Sequence, residues 1–281
     1  MRRVRKIATA LLPTFRYWMQ TEVHVFAFST AANVLLSFFP FLIVMMSVSR
    51  LVFSRQTTIA SIDTVLRDFF PDSLGSFLHN NLPERAHVET ISLILLLFTA
   101  NGIFEPLEVA LNHVWGISKN RSFFRNQLIS LALIFVCGGL GLCSMMLTGL
   151  NHVGAQSMMG LGEWIPALFF NVAAVPITVI VLFLIYYFVP NFSASFPRPP
   201  RNRVIAAAII IGVLVEALKY VNKLVWPYFF RKLTNEYGVF KYSVTLIFIG
   251  FVATMLVLAG AEWSARGHRA NEEPSKEIMD A

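Results

Sequence analysis

Charged residues are scarce in this chain. Asp, Glu, Lys and Arg make up 14% of its 281 residues, whereas 56% are hydrophobic and the mean hydropathy is +0.63. Soluble domains average about 25% charged residues. The composition therefore excludes an ordinary soluble domain and predicts an integral membrane protein.

Catalytic and metal-binding motifs are also absent from the sequence. It has no GxSxG, Walker A, HExxH or CxxC pattern, and its 6 histidines form no pair at i,i+4 spacing. Cys137 and Cys143 fall in one predicted helix, about 9 Å apart along its axis, which is too far for a disulfide. We therefore expect no enzymatic activity, no cofactor and no metal.

Long apolar segments dominate the sequence instead. A helix needs roughly 20 residues to cross a membrane. We predict six transmembrane helices, over 27–50, 89–112, 128–150, 165–189, 204–228 and 242–263. The second and fifth reach that length only if they carry charged residues into the membrane. The predicted fold class is all-α, a polytopic membrane protein with six transmembrane helices.

The predicted organisation is a single integral membrane domain over 1–281. A basic and aromatic segment, 1–24, is expected to form a cytoplasmic interfacial helix. The six-helix bundle follows over 25–266, and 267–281 is expected to be a cytoplasmic tail.

The longest predicted loop, 54–88, carries a helical pattern of its own. Ile59, Ile62 and Leu66 recur at helical spacing, opposite Asp63. The pattern predicts a short amphipathic helical loop on the extracytoplasmic side.

Basic residues are distributed unevenly between the two sides of the predicted bundle. Both terminal segments and the loops after the second and fourth helices hold twice as many Lys and Arg as the opposite side. Because basic residues favour the cytoplasmic side, both termini are predicted to be cytoplasmic. The net charge of +7 then reflects topology and attraction to anionic lipid, and we expect no nucleic-acid partner.

A polar stripe interrupts the second predicted helix. Asn101, Glu105, Glu108 and Asn112 fall at about 0°, 40°, −20° and 20° on a helical wheel. Carboxylates in a membrane-spanning helix are costly and usually face a bundle interior or an aqueous cavity. Glu105 falls about 24 Å below the outer end of the helix, so the stripe is predicted to be a cytoplasmic entrance or a packing seam.

Other polar residues occur in the first, fifth and sixth predicted helices. Asn33 belongs to a line of small polar residues that indicates either helix packing or a path lining. Glu216 and Lys219 either pair with each other, with Lys223 reaching outward, or line a central cavity. Glu262 has Arg266 one turn later as its expected partner. The complete predicted polar pathway is Asn33, Asn101, Glu105, Glu108, Asn112, Glu216, Lys219, Lys223 and Glu262.

Three stretches of the chain carry a family resemblance. They are AANVLLSFFPFLIVMMS, the second helix with its basic loop (LFTANGIFEPLEVALNHVWGISKNRSFFRNQ), and a C-terminal half with YYFVPN, YGVF and LAGAEW. Together they resemble the YihY/BrkB family of bacterial inner-membrane proteins, once misassigned as ribonuclease BN. The residues that match the family pattern are Pro40, Asn112, Pro190, Asn191, Tyr237, Gly238, Gly260 and Glu262.

The resemblance implies a six-helix protein of the bacterial inner membrane, and transport of lipid or envelope components has been suggested for relatives. We expect an inner-membrane protein that translocates a lipid-like or envelope-related amphiphile, with membrane lipid and that amphiphile as its partners. A homo-oligomer is an open alternative. The alternative function is a non-transporting structural protein of the envelope, and ribonuclease activity is not expected.

Overall fold

The computed structural model describes residues 12–49, 90–117, 164–192 and 198–279, with isolated positions within 59–66 and 122–140. All regular structure within these described parts is helical, which confirms the predicted all-α class.

The helices follow the apolar segments of the sequence. They are α1 (12–18), α2 (Thr21–Ser49), α3 (Thr90–Val114), α4 (Trp164–Phe188), α5 (Arg201–Tyr237) and α6 (Lys241–Met279). Helices α2 to α6 coincide with the first, second, fourth, fifth and sixth predicted helices. The third predicted helix, 128–150, is helical at its described positions up to 140, and its remainder lies outside the described residues.

Two helices continue beyond their predicted ends. α5 reaches Tyr237 instead of 228, and α6 reaches Met279 instead of 263. The prediction ended each helix where the apolar pattern stops. Residues with good helix propensity, including Arg, Lys, Glu and Ala, extend both helices past that point.

Three of the described helices are long and apolar enough to cross a membrane. These spans are Thr21–Ile43 in α2, Arg201–Phe229 in α5 and Lys241–Arg266 in α6. A shorter apolar helix, Val175–Phe188, forms the second half of α4.

A tight turn joins α5 to α6. Gly238 has a φ of 53°, a left-handed conformation that favours glycine, and its amide donates to the Thr234 carbonyl at the end of α5. A short 3₁₀ turn, Gly238–Phe240, leads directly into α6. The two helices therefore form an antiparallel hairpin, with the start of α5 beside the far part of α6.

Helix packing places α2 against α3 and α6, and α5 against α4 and α6. Small residues permit the close approach of α2 and α6, since a Cβ added to Gly250 would lie 3.3 Å from the Ala31 Cβ. The core at the centre of this arrangement includes the fully buried Leu111, Tyr186 and Leu258.

Two extramembrane predictions fall partly within the described residues. In the 54–88 loop, Ile62 and Leu66 are helical and buried, in agreement with an amphipathic helix at those positions. In the predicted interfacial segment, 12–18 is helical, with Leu12 and Phe15 exposed. Residues 21–24, predicted to belong to the interfacial segment, begin α2 instead. The other residues of the two predicted elements lie outside the described part of the chain, apart from 19–20 and isolated loop positions.

Candidate functional site

One polar site among the described residues is an ion pair inside α5, within the part of this helix that is long and apolar enough to cross a membrane. Lys219 Nζ lies 2.7 Å from Glu216 Oε2, with 18% and 10% of the two side chains exposed. The residues are three positions apart in α5, a spacing that places them on the same helix face. Glu216 falls about 23 Å along α5 from Arg201, near the centre of the apolar span.

A neighbouring helix completes this site. The Thr178 hydroxyl of α4 donates to Glu216 Oε1 at 2.5 Å, so both carboxylate oxygens have partners. Burial of an ion pair is costly, and the cost falls when further hydrogen bonds satisfy its polar atoms. We call Thr178, Glu216 and Lys219 the α4–α5 charge site. Glu216 and Lys219 therefore pair with each other, as one of the two predictions had it. Thr178 adds a contact between α4 and α5.

Lys223 lies outside this charge site. It is exposed one turn beyond Lys219, and its Nζ lies 5.9 Å from the centre of the Tyr220 ring, which is also exposed. This position agrees with the predicted outward reach of the lysine. A lysine over an aromatic face gains a modest cation–π attraction.

The described residues of the polar stripe of α3 differ in how much they are exposed. Glu108 and Asn112 are buried, whereas Glu105 is exposed. The backbone of Asn101 is helical, and its side chain is outside the described set. Among the described side chains of the stripe, Glu108 and Asn112 therefore belong to the buried face of α3, and Glu105 lies outside it.

Asn112 connects α3 to the end of α4. Its Oδ1 accepts a hydrogen bond from the Asn191 amide at 2.8 Å, and its Nδ2 donates to Glu108 Oε1 at 3.5 Å. Its own carbonyl accepts from the Ile117 amide at 2.8 Å. The residue thus stabilises both the end of α3 and the chain that leaves α4, which favours the packing-seam interpretation.

The core beside Asn112 holds three other conspicuous residues. The Tyr186 hydroxyl in α4 donates to the Val257 carbonyl in α6 at 2.8 Å. Gly260 permits this approach, because an added Cβ would lie 2.5 Å from the Tyr186 oxygen. Pro190 is fully buried in the same region. Asn112, Pro190, Asn191 and Gly260, which are among the residues expected to match the family pattern, therefore belong to one packed part of the core.

Glu262 has a different environment from the α3 acids. Its Oε2 accepts hydrogen bonds from Arg266 and from the Thr14 hydroxyl of α1, both at 2.8 Å. Arg266 also donates to Thr14. The predicted Glu262–Arg266 partnership is confirmed, and the structure adds α1 to it.

A further hydrogen bond holds α1 on α6, because Trp18 Nε1 donates to the Met255 carbonyl at 3.0 Å. His24 Nε2 of α2 lies 2.9 Å from the Trp18 carbonyl and joins the end of α1 to α2. The Thr14 and Trp18 contacts together hold α1 along one side of α6. We call this arrangement the α1 clasp.

Asn33 forms its hydrogen bonds within α2. Its Nδ2 donates to the Ser29 carbonyl, and the Ser37 hydroxyl donates to the Asn33 carbonyl, each at 2.9 Å. Such bonds to the preceding turn satisfy polar side chains inside a helix. The packing interpretation of this polar line is the one that these contacts favour.

Several partners could not be identified from sequence. Thr178 and Thr14 are ordinary residues in apolar or basic segments, and their importance comes from the helix that each one faces. Within the described part of the chain, no three His, Cys, Asp or Glu residues cluster in a way that could hold a metal.

Comparison with known proteins assigns this fold to a family. The family model described as virulence factor BrkB matches residues 14–280 of the chain. The four core positions Asn112, Pro190, Asn191 and Gly260 and the clasp residue Glu262 all fall within this match. No solved structure matches the chain.

Three curated relatives carry the name UPF0761 membrane protein. The chain is 23% identical to the one from Aromatoleum aromaticum over 88% of its own length and 61% of the relative. The relative from Paraburkholderia xenovorans is 26% identical over 68% of the chain and 44% of that protein. The relative from Chlorobium chlorochromatii is 25% identical over 87% of the chain and 56% of that protein. The chain thus spans about half the length of the curated relatives that it matches.

Proposed function

The chain belongs to the BrkB family of membrane proteins, and on that premise we propose that it translocates a lipid-like amphiphile across the bacterial inner membrane. The observation that carries this proposal is the buried α4–α5 charge site. An ionisable residue inside a membrane span is expensive and usually serves a substrate or ion path.

The proposed architecture has six membrane-spanning helices with both termini in the cytoplasm. Its support is the basic end of the α5–α6 hairpin, where Arg201 and Arg203 begin α5 and Arg266 ends the apolar span of α6. At the end of α4, Arg198 lies 4.7 Å from the centre of the Tyr187 ring. Basic and aromatic residues together are typical of a cytoplasmic membrane boundary.

The charge site suits the polar part of an amphiphile. A phosphate or carboxylate that leaves water loses its hydration, and the loss is unfavourable unless charged or polar groups replace the water. The Lys219 ammonium can donate to such an anion, and the Thr178 hydroxyl can donate to a neighbouring oxygen. The acyl part of the same molecule would stay in contact with the surrounding lipid.

A movement of α4 would open this site. Pro176 lies inside α4, two positions before Thr178, and a proline removes one backbone hydrogen bond from a helix. A bend there would separate Thr178 from Glu216 and expose the charge pair to an entering headgroup. The proposed cycle contains no enzymatic step.

The test is the rate at which a fluorescently labelled phospholipid crosses the membrane of vesicles that contain the purified protein. Glu216→Gln should lower the protein-dependent rate about tenfold, which corresponds to about 1.4 kcal/mol of activation free energy. Glu236→Gln is the matched control, because Glu236 belongs to the same helix and pairs with Lys232 at 4.0 Å in an exposed position. An equal effect of both changes would remove the charge site from the mechanism.

A structural role in the envelope is the second candidate. The α1 clasp and the buried Asn112–Asn191 connection would then serve a rigid frame for partner proteins. That role predicts stable partners that copurify with the chain and a strong effect of changes in 54–88. With that role, the rate of lipid movement should be the same in vesicles with and without the protein.

A further inference from the structure

An apolar groove runs between α1, α5 and α6. Its volume is about 360 Å³, and nearly all of its lining is hydrocarbon or aromatic. The residues that shape it include Phe15, Trp18, Ile210, Leu214, Ala259 and Trp263. Since α5 and α6 are membrane spans in this stretch, the groove opens where lipid chains surround the protein.

One end of the groove carries positive charge from α5 and α6. Arg203 precedes the lining residue Ala207 by four positions, so the two share a face of α5. Arg266 follows Trp263 by three positions on α6. Arg16 is an exposed residue of α1, the helix that contributes Thr14, Phe15 and Trp18 to the lining. Glu262 is the acid at this end, and it already binds Arg266 and Thr14.

We propose that this groove binds an anionic phospholipid, with one acyl chain in the groove and its phosphate beside Arg16 and Arg203. Both arginines are exposed, so they can reach a headgroup at the membrane surface. Apolar chains of membrane lipid match the lining, and basic residues near the surface favour anionic over zwitterionic headgroups. The α1 clasp supplies one wall of the groove, since Thr14 and Trp18 both line it.

This proposal deepens the proposed function and rests on it in one respect, namely that the bound lipid is the molecule to be moved. Binding itself can be measured separately from movement. Trp18 and Trp263 both line the groove, and their fluorescence reports a quencher attached to an acyl chain that enters it.

The experiment uses the full chain in phosphatidylcholine vesicles. Phosphatidylglycerol with brominated chains is added in increasing proportion, and brominated phosphatidylcholine is the reference lipid. We expect an extra, saturable quenching of tryptophan fluorescence by the brominated phosphatidylglycerol. Equal quenching by the two lipids at all proportions would overturn the proposal.

Two variants and one control locate the site. The pair Arg16→Gln and Arg203→Gln should weaken the saturable component on the order of tenfold. Ala259→Leu should reduce it by filling the groove, with both arginines in place. The pair Arg231→Gln and Lys232→Gln removes the same charge from the other end of α5 and should leave the quenching unchanged. An equal loss in this control pair would show general attraction to anionic membranes and contradict a site.

Lipid movement in the same vesicles separates the two proposals. Saturable binding with movement at the protein-free rate would retain the groove and reject translocation. Movement that depends on Glu216, with no preference for phosphatidylglycerol and no effect of Arg16→Gln and Arg203→Gln, would retain translocation and reject this groove as a lipid site.

Discussion

The Asn112 side-chain oxygen in α3 accepts a hydrogen bond from the backbone amide of Asn191, which follows α4, at 2.8 Å. The contact joins two segments that are far apart in the chain, and Asn112 is 1% exposed. A backbone amide in this position has little access to water, so a side chain must satisfy it.

Asn112→Leu should therefore destabilise the fold. The Asn191 amide would lose its partner, and a buried group left in this way costs about 1–3 kcal/mol in the free energy of unfolding. Unfolding of the purified protein by titration with a denaturing detergent measures the change. Asn202→Leu, at an exposed position of α5, is the control and should leave the midpoint unchanged. A midpoint equally unaffected in both variants would contradict the role of the Asn112 contact.

The close approach of α4 and α6 at Gly260 gives a second prediction. Gly260→Ala should destabilise the protein by about 1–3 kcal/mol, because the new methyl group would overlap Ile211 and the Tyr186 hydroxyl. Gly139→Ala is the matched control, since a Cβ there meets no atom of the described residues within 4 Å. The thermal unfolding midpoint in mild detergent should fall for the first variant alone. Equal midpoints for both variants would contradict the packing described around Tyr186.

The contact between α4 and α5 can be tested by a disulfide. A Cβ at Gly212 would lie 3.5 Å from the Val179 Cα. Since a Cα–Cβ bond is about 1.5 Å long, the two Cα atoms are within about 5 Å of each other, which is close enough for a disulfide. In a chain with Cys137→Ser and Cys143→Ser, the pair Val179→Cys and Gly212→Cys should cross-link under mild oxidation. The pair Val179→Cys and Val213→Cys should not, because Val213 lies about 100° around the helix. Cross-linking of the second pair alone would show that α5 is rotated relative to α4.

We expect that breaking the α1 clasp increases the local opening of α1 and leaves the rest of the fold unchanged. Thr14→Val removes the hydroxyl that joins Glu262 and Arg266, and nearby Trp18 retains its bond to the Met255 carbonyl. Hydrogen exchange should rise several-fold in α1 and stay constant in α6. Thr21→Val, at an exposed position, is the control. Unchanged exchange in α1 would show that the Thr14 contact does not hold this helix.

The helices could be predicted from sequence because apolar segments of the required length are visible in any single chain. The Glu216–Lys219 pair was also accessible, since residues three apart in a helix are neighbours. Thr178 could not be identified as their partner, because nothing local to α4 shows which face meets α5. Pairing between helices depends on packing that a one-dimensional pattern does not contain.

The α3 stripe shows the same limit in another form. Helical spacing correctly grouped Glu105, Glu108 and Asn112 on one side of the helix. The spacing could not show where the contact with neighbouring elements ends, and that boundary leaves Glu105 exposed while Glu108 and Asn112 are buried. The partner of Asn112 is a backbone amide, which every residue except proline carries, so no sequence signal distinguishes it.

We propose that the protein moves an amphiphile along the α4–α5 charge site. The sharpest test removes the charges of Glu216 and Lys219 together. The double change Glu216→Gln and Lys219→Met avoids the single uncompensated charge that either change alone would leave in the membrane. The transbilayer movement of labelled phospholipid should be measured in three sets of sealed vesicles. They contain the double variant, the unchanged protein or no protein. We expect rapid movement with the unchanged protein and movement near the protein-free rate with the double variant, at equal incorporation and folding. Equal movement with both proteins, or none with either, would contradict it.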